Sequence, residues 1–252
     1  MIRRGLGFIL LMLCTLGPIA SASTQRDVES AAKLQKIAFI LVYDQTATGM
    51  AQARDVIRQT MKQVSGSVLL ELDRSAPANA EYVAKLRLAG APVPLILVAA
   101  RNGVLAGGLP AAQATPAILL GLVPTPKQAE ILQALQSGKP VFITVSRKGM
   151  TKETKAVAAC VAACSQMGNK SALVRIDMAD PREATFLSQL KIDSAAKEPV
   201  TLVVNAQGQV TGSYTEVQEV AGLVQAATRV VSGCGPGACG PGAASSCAPA
   251  KK

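Results

Sequence analysis

Apolar positions along this chain fall into short runs and helical stripes whose order occurs twice. Ile37 to Val42 and Val141 to Val145 are near-continuous apolar runs rich in β-branched residues, the pattern of strands covered on both faces. A helical stripe precedes each. The first covers Thr24 to Gln35; the second covers Pro126 to Ser137, with Thr125 as N-cap, Pro126 at the first helical position and Gly138 just past the end. A longer helix follows each strand, over Met50 to Val64 and Lys152 to Met167. Then comes a second strand closed by aspartate, Val68 to Asp73 and Leu173 to Asp177.

A third helix is predicted over Asn79 to Leu88 and Pro181 to Leu190, and a proline then opens a third strand, Pro94 to Val98 and Pro199 to Val203. Pro94 aligns with Pro199 and Gly107 with Gly212, an offset of 105 residues. Asn102-Gly103 and Gln207-Gly208 each sit between apolar runs and mark a hairpin. A last helix closes each half, from Thr115-Pro116 to Leu122 and from Glu216 to Val231. Each half therefore reads α-β-α-β-α-β-β-α, with parallel crossovers first and a hairpin last.

This order resembles the thioredoxin fold, including its aspartate-ended second strand and the proline that opens the third. The resemblance spans residues 24–232 and implies an α/β protein of two tandem thioredoxin-like domains, 23–124 and 125–232. In that family the proline is cis and faces the active site, which places Pro94 and Pro199 there. The family's oxidoreductases carry Cys-x-x-Cys between the first strand and the next helix, where the helix N-terminus favours the thiolate. Here the two stretches are Tyr43-Asp-Gln-Thr-Ala-Thr48 and Ser146-Arg-Lys-Gly-Met-Thr151, and neither contains cysteine. The resemblance thus implies the scaffold without its dithiol, and tandem domains of this kind usually serve binding or structural roles.

Flanking segments add two more regions. Arg3 and Arg4, the apolar Phe8 to Leu16 and the small residues Ala20-Ser-Ala22 read as a signal peptide over residues 1–22, so the protein is expected to be exported, periplasmic or extracellular. The apolar stretch is shorter than the ~20 residues of a membrane span, so no stable span is expected in the mature protein. An uncleaved anchor is the alternative; a lipid anchor at Cys14 is opposed by the bulky Leu13. At the other end, residues 233–252 hold Cys234-Gly-Pro-Gly-Ala-Cys239-Gly-Pro-Gly-Ala and then Cys247. Such a Gly/Pro segment cannot build a core and reads as a flexible tail.

The chain has no histidine, which excludes Ser-His-Asp and Cys-His catalysis and His-containing zinc sites. Its net charge of +10 is spread along the sequence, and Trp is absent with three Tyr and four Phe, so nucleic-acid binding is not expected. Chemistry is left to cysteine, carboxylate, lysine and methionine.

Cys160, Cys164 and Met167 share one helix face. That stripe suits a soft ion such as Cu(I), and its spacing is similar to the Cys-x3-Cys of Sco-type copper chaperones, which add a histidine. Aligning Asp177 with Asp73, an offset of 104, instead puts Cys160 on Val56 and Cys164 on Thr60, facing the sheet as small apolar side chains. A bridge between the two is not expected within an intact helix. Cysteine in a Gly/Pro tail has no packing role, so Cys234, Cys239 and Cys247 are candidates for Cu(I), for Zn with one further ligand, or for a thiol bond to a partner or a second copy. No cofactor is required on this reading.

Three functions follow. One is a binding or scaffold protein whose tail captures a soft metal or a thiol partner. Another is an atypical thiol–disulfide oxidoreductase using Cys160, Cys164 and the tail. The third is a structural assembly protein cross-linked by tail disulfides. Asp44 and Asp73 lie near the sheet end without an acid/base partner and read as structural.

Overall fold

The structure is a computed structural model and describes residues 23–230, Asn169 and Ser194 excepted. The expected signal peptide, the tail and its three cysteines lie outside the described residues. Each half is a four-stranded sheet with helices on both faces. The first contains α1 (Thr24–Lys33), β1 (Ile37–Tyr43), α2 (Met50–Met61), β2 (Ser67–Asp73), α3 (Ala80–Lys85), β3 (Leu95–Ala99), β4 (Leu105–Pro110) and α4 (Pro116–Leu122). The second contains α5 (Pro126–Gln136), β5 (Val141–Ser146), α6 (Glu153–Gln166), β6 (Ala172–Asp177), α7 (Ala184–Gln189), β7 (Val200–Val204), β8 (Val210–Tyr214) and α8 (Val220–Thr228). The sheets run β2-β1-β3-β4 and β6-β5-β7-β8. This is the tandem thioredoxin-like α/β architecture that the element order implied.

Alternation along the central strand separates two cores. Ala38, Ile40 and Val42 face α1 and α3, whereas Ile37, Phe39 and Leu41 face α2 and α4. In the second half Val141, Ile143 and Val145 face α5 and α7, and Phe142 packs with α6 and α8. Thr125 caps α5 through a full capping box, and Gly138 beyond its end has φ 71°. Among the described residues no helix is long and apolar enough to cross a membrane.

The first crossover in each half is parallel; the second is not. β1 pairs parallel with β2 and antiparallel with β3. A six-residue α3 advances about 9 Å, far less than the ~23 Å of a seven-residue strand. It cannot carry the chain back to the start of the sheet, so β3 enters from the end where β2 finished. Several helices also differ from expectation: α3 ends at Lys85, and α7 begins at Ala184, after the 3-10 turn Pro181–Glu183. α2 stops at Met61, and α8 begins at Val220 rather than at Glu216. The first half fills the step after β4 with a 3-10 turn, Ala111–Gln113, whereas the second crosses it through a bend at Thr215 and Glu216 without a helical turn.

Strand pairing sets the true register of the repeat. Tyr43 stands opposite Asp73 and Ser146 opposite Asp177; Val42 stands opposite Leu95 and Val145 opposite Val200. Phe39 therefore matches Phe142, an offset of 103 residues. The helices follow it: α2 buries Ala53, Ile57 and Thr60, and α6 buries Ala156, Cys160 and Ala163. Cys160 thus replaces Ile57, not Val56, and Cys164 replaces Met61, not Thr60. The offset of 104 holds only beyond the helix, because the second half has one more residue than the first between the start of this helix and the second strand.

Pro94 and Pro199 also part company. The Val93–Pro94 bond is cis, and it is the cis peptide among the described residues, so Pro199 is trans. The Pro94 carbonyl accepts a hydrogen bond from the Ala111 N–H and extends the first hairpin. In the second hairpin the pairing stops at Thr201 opposite Tyr214, and Pro199 keeps the trans form that is the default for X–Pro bonds.

Candidate functional site

In each half the loop between the first strand and its helix meets the helix N-terminus beside the third strand. In the first half Asp44 organises this loop. Its Oδ1 accepts hydrogen bonds from the Thr46 hydroxyl at 2.6 Å and the Thr46 N–H at 2.8 Å. Arg74 donates to Asp44 Oδ2 through Nε at 2.8 Å and to the Ala91 carbonyl through Nη1 at 2.7 Å. These donors, Thr46 first and Arg74 after it, hold the Asp44 carboxyl below its ordinary value. The group is thus a loop clasp. Asp73 accepts the Ser75 N–H and closes its own turn. Between α2 and the end of β4 lies a cleft of 220 Å³ lined by Thr48, Gly49, Gln52, Ala53, Ala111 and Ala112. It contains no thiol, carboxylate or amine.

In the second half the matching loop is cationic. Arg147, Lys148 and Lys152 lie in it, with Lys155 in the first turn of α6. Lys152 pairs with Glu198 at 3.5 Å, next to Pro199. Ser146 donates to Glu153 Oε1 at 3.2 Å, and Arg175 Nη2 reaches the same oxygen at 3.4 Å. The sequence reading missed this group, because it matched α6 to α2 one residue out of register. The paired phenylalanines Phe39 and Phe142 carried the signal that would have corrected it.

Neither described cysteine lies at a helix N-terminus. Both are free thiols in the later turns of α6, and Cys164 is half-buried while Cys160 is 0% exposed. Cys160 sits against the sheet, where Thr144 Oγ1 lies 3.6 Å from its sulfur and Thr201 gives a further hydrogen bond. Burial pushes the Cys160 thiol up, outweighing those two hydroxyls. The first half holds Leu41, Ile57 and Ile96 where the second holds Thr144, Cys160 and Thr201, so an aliphatic contact has become a small polar cluster. Cys164 and Met167 pack against the apolar cluster around Phe142.

An enclosed, protonated Cys160 does not fit a thiolate ligand set with Cys164 and Met167. Among the described residues no group of three His, Cys, Asp or Glu could hold a metal ion. In native protein Cys160 is expected to react with iodoacetamide at least a hundredfold more slowly than Cys164, and at an equal rate in urea. Alkylation followed by peptide mass spectrometry measures both rates.

No protein-family model matches the chain, and no curated protein does. Solved structures of tandem thioredoxin domains are similar to it at a distance. The first two thioredoxin domains of Naumovozyma dairenensis Eps1p cover 81% of this chain and 95% of their own at 9% identity and TM-score 0.32. The corresponding domains of Saccharomyces cerevisiae Eps1p cover 81% and 96% at 12% identity and TM-score 0.30. Human ERp44 covers 79% at 9% identity and TM-score 0.33, and the match spans 52% of that protein. Such distant likenesses say nothing of activity. Strand order and connections define the class: a tandem thioredoxin-like protein. Both of its helix-start loops lack the cysteine pair on which that fold's redox chemistry depends.

Proposed function

We propose that this is an exported, non-catalytic binding protein. Its two thioredoxin-like units form a rigid base, and its tail thiols Cys234, Cys239 and Cys247 capture a soft metal ion or a thiol partner. One observation supports this reading above the others: the described thiols offer no accessible dithiol. Cys160 lies inside the core with its proton held, and an oxidoreductase working through Cys160 and Cys164 would need it at the surface. The burden of thiol chemistry then falls on the tail.

Three thiolates suit Cu(I), and Zn would need one further ligand. The test is intact mass of the purified protein, native and denatured, with and without alkylation. Added metal mass that is lost on denaturation, and absent when all three tail cysteines become serine, supports capture. Tail cysteines found oxidised in pairs, with no metal uptake after reduction, overturn it in favour of exchange or cross-linking.

A further inference from the structure

We infer that the cleft at the carboxyl ends of β5 and β6 binds a small oxyanion, held between Lys148 and Arg175. The cleft measures 370 Å³ and is lined by Ser146, Lys148, Glu153, Arg175, Ile176 and Asp177. It goes beyond the tail-based reading above and does not depend on it.

The repeat shows how the cleft arises. Tyr43 and Ser146 are equivalent, since each stands opposite the aspartate that ends the second strand of its half. Both side chains lie on the face covered by the first crossover helix. In the first half an aromatic ring stands at this place, close to Arg54. In the second a hydroxymethyl group replaces it, and the space of the ring becomes a cavity. Crevices outside the carboxyl ends of strands are where open α/β sheets take their ligands.

The charges around the cleft point to an anion. Arg175 replaces Glu71 of the first half, and Glu153 replaces Met50, so the helix-to-strand ion pair Arg54–Glu71 has its signs reversed in Glu153–Arg175. That pair engages one Arg175 nitrogen and leaves the rest of its planar fork for a second acceptor. Lys148 is exposed and takes part in none of the ion pairs among the described residues, although two carboxylates line the same cleft. Asp177 is turned to its own loop, accepting the Ala179 N–H at 2.8 Å. Ser146, 6% exposed, forms the floor and spends its proton on Glu153.

Arg147, Lys152 and Lys155 lie around the same helix start. Cations disfavour a helix N-terminus, which carries partial positive charge. A local arrangement that opposes the stability of its own element is expected where function requires it. The equivalent loop of the first half, Asp44 to Gly49, holds a carboxylate and no cation. A bound oxyanion would offset the positive charge of the second loop and engage Lys148 and Arg175 together.

The experiment is a 15N NMR titration of the full mature chain with inorganic phosphate and, separately, succinate. Saturable shifts at Ser146, Lys148, Gly149 and Arg175 with either anion are expected, and the tighter of the two names the oxyanion class. Ser146→Tyr, which restores the residue of the first half, should weaken binding at least tenfold with every cation still in place. Lys148→Met, on an exposed loop, should weaken it at least threefold. Non-saturating shifts spread over lysines throughout the chain would overturn the proposal. So would equal affinity in the wild type and Lys148→Met, or in the wild type and a folded Ser146→Tyr.

Discussion

Phe142→Ala is expected to destabilise the second unit by about 3–5 kcal/mol, the usual cost of emptying a buried phenylalanine site. Phe142 is 0% exposed at the centre of the cluster that includes Cys160, Ala163, Val203, Leu223 and Ala227. Two of its neighbours on α6 are small. Cys160 and Ala163 stand where the first unit has Ile57 and Thr60, so the ring carries a larger share of the contact here than Phe39 does in its own unit. The sheet beneath it is rigid, leaving little scope to collapse into the void. Hydrogen exchange read by mass spectrometry in moderate urea separates the units. Protection should fall across Val141–Ser146 and α6 while Ile37–Tyr43 stays protected. Equal loss in both halves would mean that the two units unfold as one cooperative block.

Glu183→Ala is expected to cost about 1–3 kcal/mol, the penalty for leaving a part-buried donor unpaired. Glu183 is 1% exposed; its Oε1 accepts the Lys127 N–H at 3.0 Å, in the first turn of α5, and its Oε2 has no partner. Asn79 does the same work in the first unit, accepting the Thr24 N–H at 3.0 Å and donating to the Asp73 carbonyl at 2.9 Å. In both halves a one-turn 3-10 segment, Pro77–Asn79 or Pro181–Glu183, lends its last side chain to the N-terminus of the opening helix. Glu183→Gln keeps the acceptor and should retain most of the stability. Chemical denaturation monitored by circular dichroism gives the ranking wild type, Gln, Ala; an alanine variant as stable as wild type would show that the Thr125 capping box suffices.

Much of the fold was legible because its signals are local. Strand runs, the Pro126 and Gly138 helix signals and the two X-Gly hairpins depend on neighbours a few residues apart, and all appear where the pattern put them. Even the irregularities repeat, since both hairpins shift register at the same place, Val98/Ala99 and Val203/Val204. The register of α6 was not legible from Asp73 and Asp177. Those aspartates lie beyond the helix, and an added residue ahead of β6 leaves no mark on apolar spacing. The candidate cleft was hidden for the same reason, because Ser146 is informative only once it is set against Tyr43.

The amino-acid order alone determined that histidine chemistry is absent, that the two helix-start loops lack thiols, and that two similar α/β units follow one another. Those are properties of composition and of periodicity along a chain. Only tertiary structure decided that Cys160 is enclosed while Cys164 is half-buried, that Pro94 alone of the two prolines is cis, and that Glu183 caps a helix 56 residues away. It also decided that Lys148 and Arg175 line one cavity. Each of these depends on which face a side chain takes and what packs against it. A one-residue change in register between helix and strand is enough to alter that.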